Sequence, residues 1–289
     1  MPNKYNEDDK KKVLDIYTCF DDIYTNDITD EWKKEYKGLD IKSDAWCVSG
    51  EGTTSYILDK QALISLGMRI LKDSDTATVH YYKVSIPSTA VKDILHAVAF
   101  MIDHKNKIMR YHDSHGVDMR RECKDFLVKL FPDYKIIINY SKQQADVVSN
   151  NHQEGKNDNS CALLSLYNLR DMWFVQNGML DKVCNFDSVS ARQDAWKILS
   201  NIQKPQEQKE TKLSGGTKFS FGKGTIKTEE EKLEYKKAID KIADRAFKYR
   251  LYNEPNYDDL IKNAVDTVKE EIKKWHNEKI IHQNSGGRV

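Results

Sequence analysis

The feature that most constrains the fold is the stretch 95–112, in which two alternating apolar and polar runs flank the polar segment DHKNK. Alternation with a period of two is typical of strands that pack one face against a core. Two such runs joined by a polar turn predict an antiparallel hairpin. His96 stands near the start of the first strand and Asp113 follows the second, so we expect their side chains to lie opposite each other at the open end of the hairpin.

The hairpin lies among segments with helical or strand spacing, which predicts an α+β chain built around a sheet. Residues 135–140 (KIIINY) are nearly all apolar and fit a strand at the buried centre of that sheet, whereas residues 44–58 show no periodicity and predict an irregular segment. The other predicted elements are a strand at 76–87 and helices at 7–24 (with Asn6 as the N-cap), before Gly38, at 59–73, before Pro132, from Cys161 onward and at 187–203.

Shifts in composition divide the chain into four predicted parts. An N-terminal helical extension (1–40) precedes a main region (41–203). Residues 204–226 are rich in glycine, serine and charged side chains, which predicts a linker or an exposed loop. Residues 227–284 predict two amphipathic helices, which form either a separate hairpin or an appendage packed on the main region.

Charge and cysteine content exclude several classes of protein. The 46 Lys and Arg residues nearly balance the 45 Asp and Glu residues, so the chain has no general basic field for nucleic acid. No apolar run is long enough to span a membrane, and the charged amino terminus lacks the apolar core of a signal peptide. Five cysteines without any CxxC pair argue against a disulfide framework and against a structural zinc site. We therefore expect a soluble protein of a reducing compartment.

Cys161 is the candidate nucleophile. It stands where a polar loop gives way to a predicted helix, so its sulfur would lie at the helix N-terminus. Backbone N–H groups and the helix dipole stabilise a thiolate there and lower the pKa of the thiol. A base must come from elsewhere in the chain, and a strand histidine beside a carboxylate, as predicted for His96 and Asp113, meets that need.

Each candidate residue also has an ordinary structural interpretation. Taken alone, His96 is typical of a satisfied strand histidine, Asp113 of a turn residue and Cys161 of a small core residue. The catalytic interpretation depends on the three together. His112 and His115 flank the acid and raise the question of a metal, but no second cluster of ligands supports one, so we expect no metal.

Here the chain resembles a known family. His96, Asp113 and Cys161 occur in the order and approximate spacing of the clan of ubiquitin-like-protein proteases, which includes the SUMO proteases and the adenovirus protease, and the segment HDSHG is similar to that family's acid turn. The resemblance covers about residues 40–203, which would be the cysteine protease catalytic domain. It implies a papain-like α+β fold, in which helices flank a central mixed sheet, with the C-terminal helices as an appendage.

The resemblance also implies roles for individual residues. His96 would act as base and then as acid, Asp113 would fix its tautomer, and Cys161 would form a thioester. The family places a glutamine before the cysteine to complete the oxyanion hole, and Gln153 is the counterpart, with Asn157 as the alternative amide donor.

Three departures from the family pattern concern the substrate and the oxyanion. Family members commonly have tryptophan directly after the histidine, where this chain has Ala97, and the nucleophile lies in the run NSCA rather than in an Asp-x-Gly context. Gln153 is also further from the cysteine than is usual. Trp46 resembles a second tryptophan of the family's substrate tunnel and is the candidate substrate-binding residue.

The sequence thus predicts a cysteine isopeptidase that cleaves after the C-terminal glycine of ubiquitin or a ubiquitin-like protein and needs no cofactor. Its bacterial and viral relatives act as effectors, which implies modified host proteins as substrates and a host cytoplasm as the place of action. Two alternatives stay open. One is a YopJ-type acetyltransferase that uses the same triad, although those relatives usually have glutamate as the third member. The other is a binding protein on a protease scaffold that has lost its activity.

Overall fold

The computed structural model describes residues 3–45, 48–49, 56–57, 60–87, 95–144, 158–180, 186–203 and 256–285. Several sequence predictions lie outside these residues. They concern Trp46, Gln153, Asn157 and the proposed linker at 204–226, as well as the first of the two predicted C-terminal helices.

The described residues form helices and strands in an irregular alternation along the chain. The helices are α1 (Glu7–Leu14), α2 (Asp22–Glu35), α3 (Lys60–Asp73), α4 (Arg121–Leu130), α5 (Cys161–Gln176), α6 (Ser188–Leu199) and α7 (Tyr257–Ser285). The strands are β1 (Ile41–Ala45), β2 (Val48–Ser49), β3 (Tyr56–Ile57), β4 (Val79–Pro87), β5 (Leu95–Asp103), β6 (Ile108–His112) and β7 (Lys135–Asn139).

The main sheet has the strand order β1-β4-β5-β6-β7. The central pairs β4–β5 and β5–β6 are antiparallel, whereas β1 and β7 pair in parallel with their neighbours at the two edges. A short antiparallel pair, β2–β3, forms a second sheet. The prediction of an α+β fold with a central mixed sheet is therefore confirmed, and the predicted hairpin is β5–β6.

Two hydrophobic clusters cover the two faces of the sheet. Residues of α3, α4 and α7 pack on one face, against alternate residues of β5 such as Val98 and Phe100. Residues of α1, α2, α5 and α6 pack on the other face, against Ala99 and Met101. Because successive strand residues point to opposite faces, the all-apolar centre of β5 serves both clusters.

The C-terminal helix α7 is part of the first cluster. Ile261, Ala264 and Val268 are fully buried there. Gly67 of α3 permits this close packing, because a Cβ at that position would come within 2.9 Å of Phe126 and 3.0 Å of Val268. The described end of the chain is thus packed against the helices that cover the sheet. No helix in the described part of the chain is long and apolar enough to cross a membrane.

Three predicted elements were wrong in detail. The helix predicted over 7–24 ends at Leu14, and a second helix starts at Asp22 with Asp21 as its N-cap. The segment predicted to be irregular, 44–58, contains the last two residues of β1 and the short paired strands β2 and β3. The strand β7 lies at an edge of the sheet, half buried, rather than at its centre.

Candidate active site

Cys161 is the first residue of α5, as the sequence predicts. The helix is apolar around most of its circumference and is buried between the sheet and the helices of the second cluster. The N-cap residue Ser160 makes no side-chain cap hydrogen bond, and its hydroxyl accepts a bond from Nε of Arg192 at 2.8 Å. Backbone N–H groups of the first turn therefore stay directed at the end of the helix where the sulfur lies.

His96 and Asp113 meet in a buried contact. Nε2 of His96 lies 2.7 Å from Oδ1 of Asp113, and the two residues are 6% and 2% exposed. An ionised carboxylate only accepts hydrogen bonds, so Nε2 carries the proton in this contact. The other ring nitrogen, Nδ1, is then the one left for the hydrogen bond between His96 and Cys161.

The strand register differs from the predicted one. In the hairpin, Ala99 pairs with His112 and Asp103 with Ile108, and the pairing ends at His112. The same register continued past that pair would place His115, rather than Asp113, opposite His96. The centre of the hairpin lies one residue later along the chain than predicted, and Asp103 at the start of the turn accepts hydrogen bonds from the backbone and side chain of Asn106. Asp113 follows the end of β6 and reaches His96 diagonally.

The turn after β6 holds the carboxylate in place. The backbone N–H of His115 donates to Oδ1 of Asp113 at 2.8 Å, and the N–H of Gly116 donates to the Asp113 carbonyl at 2.8 Å. Gly116 has φ +70°, and a Cβ there would lie 2.7 Å from the carbonyl oxygen of Tyr140. Only glycine fits this position without displacing the backbone.

The hydrogen bonds set the protonation state of the pair. Burial lowers the pKa of His96, but its bonds with Asp113 and Cys161 outweigh that effect and raise the pKa to about 10. Burial raises the pKa of Cys161, yet the bond with His96 and backbone N–H groups of Ala97 and Ala162 lower it overall. Burial likewise raises the pKa of Asp113, and the bond with His96 more than reverses this. The pKa shifts of His96 and Cys161 both favour a thiolate beside an imidazolium over the neutral pair.

A glutamine that the sequence did not single out connects the acid turn to the nucleophile loop. Gln144, 3% exposed, accepts a hydrogen bond from the Ser114 hydroxyl at 2.5 Å and donates one to the Asp158 carbonyl at 2.8 Å. Asp158 in turn accepts from the backbone N–H of Ser160 at 3.0 Å and from the Ser188 hydroxyl. The position of Asp113 is thereby fixed relative to that of Cys161.

A fully buried arginine connects the nucleophile loop to the N-terminal segment. Besides Ser160, Arg192 donates to the carbonyl oxygens of Val13 at 2.9 Å and Thr18 at 2.7 Å. Burial lowers the pKa of Arg192, and carboxylates and cysteines nearby, Cys161 among them, oppose this. The positive charge of the guanidinium thus lies where it favours a thiolate.

The structure brings His96, Asp113 and Cys161 together, while Gln153 and Trp46 lie outside the described residues. His112 takes no part in a metal site: Nδ1 lies 3.0 Å from the Asn139 carbonyl and Nε2 lies 2.8 Å from Oε1 of Gln143. Within the described ranges, no group of three or more His, Cys, Asp or Glu side chains is arranged to hold a metal ion.

No family model matches the chain, and no curated protein matches it. Among solved structures, the chain is similar to the yeast Ulp1 protease domain in complex with Smt3, the yeast ortholog of SUMO. The sequence identity is 14% and the TM-score is 0.37, and the match covers 68% of this chain and 86% of that one. It is similar to ChlaDub1 from Chlamydia trachomatis at 11% identity and a TM-score of 0.36, over 64% and 94%.

A third similar structure is AvrA, in a variant named delL154 with IP6 and CoA, at 10% identity and a TM-score of 0.35, over 60% of this chain and 63% of that one. At TM-scores this low, the likenesses carry no argument about reaction or substrate. The chain is similar to solved structures that include SUMO proteases, one group of the clan of ubiquitin-like-protein proteases that the sequence resembles.

Proposed function

We propose that this chain is a cysteine isopeptidase that cleaves after the C-terminal glycine of ubiquitin or a ubiquitin-like protein. The observation that supports it most directly is the buried contact of 2.7 Å between His96 and Asp113, together with the hydrogen bond of His96 to a cysteine at a helix N-terminus. A structural histidine needs no such partner, whereas a nucleophilic thiol needs a base that a third group orients.

In the first half of the reaction, the Cys161 thiolate attacks the carbonyl carbon of the terminal glycine. The oxyanion that forms accepts a hydrogen bond from the backbone N–H of Cys161, with Gln153 as the proposed second donor and Asn157 as its alternative. The imidazolium of His96 then gives its Nδ1 proton to the leaving lysine amine, and a thioester between Cys161 and the modifier is left.

In the second half, neutral His96 takes a proton from water, and the resulting hydroxide attacks the thioester carbonyl. The carbon–sulfur bond breaks, the thiolate of Cys161 re-forms beside protonated His96, and the modifier leaves with a free carboxylate. Asp113 keeps the proton on Nε2 throughout, so that Nδ1 always faces the reacting atoms.

The accessibility of the reacting groups supports a slender substrate. His96 and Asp113 are buried, and Cys161 is only partly exposed. A glycine tail has no side chains that would collide with the walls of such a site. The sequence resemblance to effector-type deubiquitinases further supports modified host proteins as substrates, and a reducing cytoplasm would keep the thiol active.

Acetyl transfer is the competing proposal, because a thioester on Cys161 could pass an acetyl group to an amine or hydroxyl instead of water. The aspartate at position 113 favours hydrolysis, since the acetyltransferases that share the triad usually have glutamate there. Incubation with labelled acetyl-CoA separates the two: we expect no label on Cys161 or on added proteins.

The test of the proposal uses ubiquitin, SUMO and NEDD8 with an electrophile in place of the terminal carboxylate. We expect at least one of these probes to attach covalently to Cys161 of the full-length chain, and we expect no adduct with Cys161→Ala. Cys19 is an exposed free thiol, so Cys19→Ala is the matched control for non-specific labelling.

Equal labelling of wild type and Cys161→Ala would contradict the proposed nucleophile. Absence of any adduct, in a protein whose Cys161 reacts rapidly with iodoacetamide, would contradict the proposed substrate class but not the activated thiol. Incorporation of acetyl without any modifier adduct would favour the competing transferase.

A further inference from the structure

A second histidine ring lies directly against the ring of His96. The imidazole of His115 stacks on it with the ring centroids 4.6 Å apart and the planes 27° from parallel. The backbone of His115 also contacts the site, since its N–H donates to the same Asp113 oxygen that binds His96. The triad described above uses the backbone of His115 and leaves its ring without a role.

The fold fixes this ring independently of its side-chain chemistry. His115 lies in the turn after β6, where its own N–H and that of Gly116 bind Asp113, and the carbonyl of Tyr140 lies close against Gly116. His115 is half buried, whereas His96 is almost fully buried. The His115 ring therefore covers one face of the base and keeps water from it.

We propose that His115 is a positioning residue, whose neutral ring holds the plane of His96 so that Nδ1 faces Cys161, and whose protonation opens the stack and weakens the base. The inference rests on the proposed function and deepens it. The bonds to Asp113 and Cys161 fix the two ring nitrogens of His96, and the stacked His115 ring restrains the tilt of the imidazole plane.

The charges around His115 keep its ring neutral near pH 7. Burial lowers the pKa of His115, and the positive charge of His96 lowers it further. The carboxylates of Asp113 and Asp158 raise it, while Lys142 lowers it. Below the resulting pKa, two cationic rings would face each other at stacking distance, and their repulsion favours the open arrangement.

The test measures how fast iodoacetamide alkylates Cys161 as a function of pH, followed on the Cys161 peptide by mass spectrometry, in full-length protein with Cys19→Ala to remove the one exposed thiol among the described residues. His115→Phe keeps an aromatic ring that cannot be protonated, and His115→Ala removes the ring. Both variants keep the backbone N–H that binds Asp113. Alkylation needs only a thiolate, so the measurement does not depend on the identity of the substrate.

We expect His115→Ala to lower the rate at neutral pH by about tenfold, which is roughly what loss of a ring stack costs. We expect His115→Phe to match wild type within about twofold at neutral pH and to keep its rate to lower pH than wild type, because it lacks the titrating group. Thermal unfolding of each variant checks that the fold is intact.

Identical pH profiles in all three proteins would overturn the role of His115 while leaving the triad in place. A wild-type Cys161 that reacts no faster at neutral pH than an ordinary thiol would instead overturn the proposed function. If His115→Ala does not fold, His115→Phe still tests the role of His115. A fall in its alkylation rate at lower pH than in wild type supports the role, and a fall at the same pH overturns it.

Discussion

The two ends of the hairpin β5–β6 carry similar residues in different arrangements. At one end, His96 binds Asp113 directly. At the other end, the fully buried Asp103 lies near His104 and His80, whose rings pack edge to face with centroids 5.7 Å apart. Both ends thus bring a buried carboxylate and histidines together. Only at the first end does a histidine ring form a hydrogen bond with the carboxylate.

The partners of each group explain the difference. Asp103 accepts hydrogen bonds from the backbone and side chain of Asn106, at 2.9 and 2.6 Å, and from Nε2 of Gln176 at 2.6 Å. With the carboxylate satisfied by amides, burial lowers the pKa of His80 and of His104. At the other end, the bonds to the acid and the thiol raise the pKa of His96 despite its burial. Hydrogen-bond partners, rather than residue types, therefore decide which histidine is charged.

The largest expected contrast is between the two carboxylates. Asp113→Ala leaves the Nε2–H of His96 without an acceptor, and we expect turnover to fall by about ten-thousandfold, as when a triad loses its orienting acid. Asp103→Ala removes a carboxylate that accepts hydrogen bonds from Asn106 and Gln176, far from the thiol. We therefore expect turnover within about twofold of wild type. The free energy of unfolding should fall by about 2 kcal/mol, because buried donors lose their acceptor. Steady-state kinetics and urea denaturation measure both, and similar turnover in the two variants would remove the distinction.

The next contrast is between two histidines. In His96→Ala the thiol loses the bond that lowers its pKa, so we expect alkylation of Cys161 at pH 7 to slow by at least about thirtyfold as the thiol returns to its ordinary pKa. His104→Ala should leave the rate unchanged, because His104 contacts the Tyr134 hydroxyl at the opposite end of the hairpin. A slow reaction in both variants would mean that the effect comes from the fold rather than from the base.

Two glutamines give a smaller contrast. Gln144 connects Ser114 to the Asp158 carbonyl, so we expect Gln144→Ala to lower kcat by roughly tenfold through a misplaced acid turn. Gln176→Ala removes one bond to Asp103, and we expect unchanged kcat with about 1 kcal/mol less stability. An unchanged kcat for Gln144→Ala would show that the acid turn keeps its position without this connection.

The smallest effect is on the pH dependence of the wild type. The raised pKa of His96 keeps its ring protonated up to about pH 10. The lowered pKa of Cys161 keeps the thiol ionised at pH values below those at which an ordinary thiol ionises. We therefore expect turnover to vary little between about pH 7 and 9. Imidazole NMR spectra should show His96 protonated at pH 7 and His80 and His104 neutral, since the pKa values of the latter two are lowered. A neutral His96 at pH 7 would contradict the ion pair.

Local patterns in the sequence were sufficient to bring the three candidate residues together. Strand alternation and a polar turn indicate that His96 and Asp113 are close, and the change from loop to helix gives the position of Cys161. The register within the hairpin depends on how Asp103 binds Asn106, a detail of turn chemistry that alternation does not encode. The prediction was therefore right about proximity and wrong by two positions about pairing.

Residues that act through distant contacts were not predictable in this way. Gln144 lies in a segment with no periodicity, and its importance comes from bonds to two different loops. Arg192 looks like an ordinary polar residue of an amphipathic helix, yet it is fully buried. The break between α1 and α2 involves the same residue, because Arg192 binds the carbonyl of Val13 at the end of α1 and that of Thr18 in the break. Contacts between such distant positions leave no periodic signal.

The bonds of Arg192 also determine when the site can form during synthesis. Its contact with the Val13 carbonyl joins positions 179 residues apart, and the same side chain holds the hydroxyl of the residue before the nucleophile. A nascent chain that has emerged only as far as α5 contains the acid, the base and the thiol but not this arginine. The nucleophile loop is then fixed only after α6 leaves the ribosome, which would keep incomplete chains inactive while they are still being made.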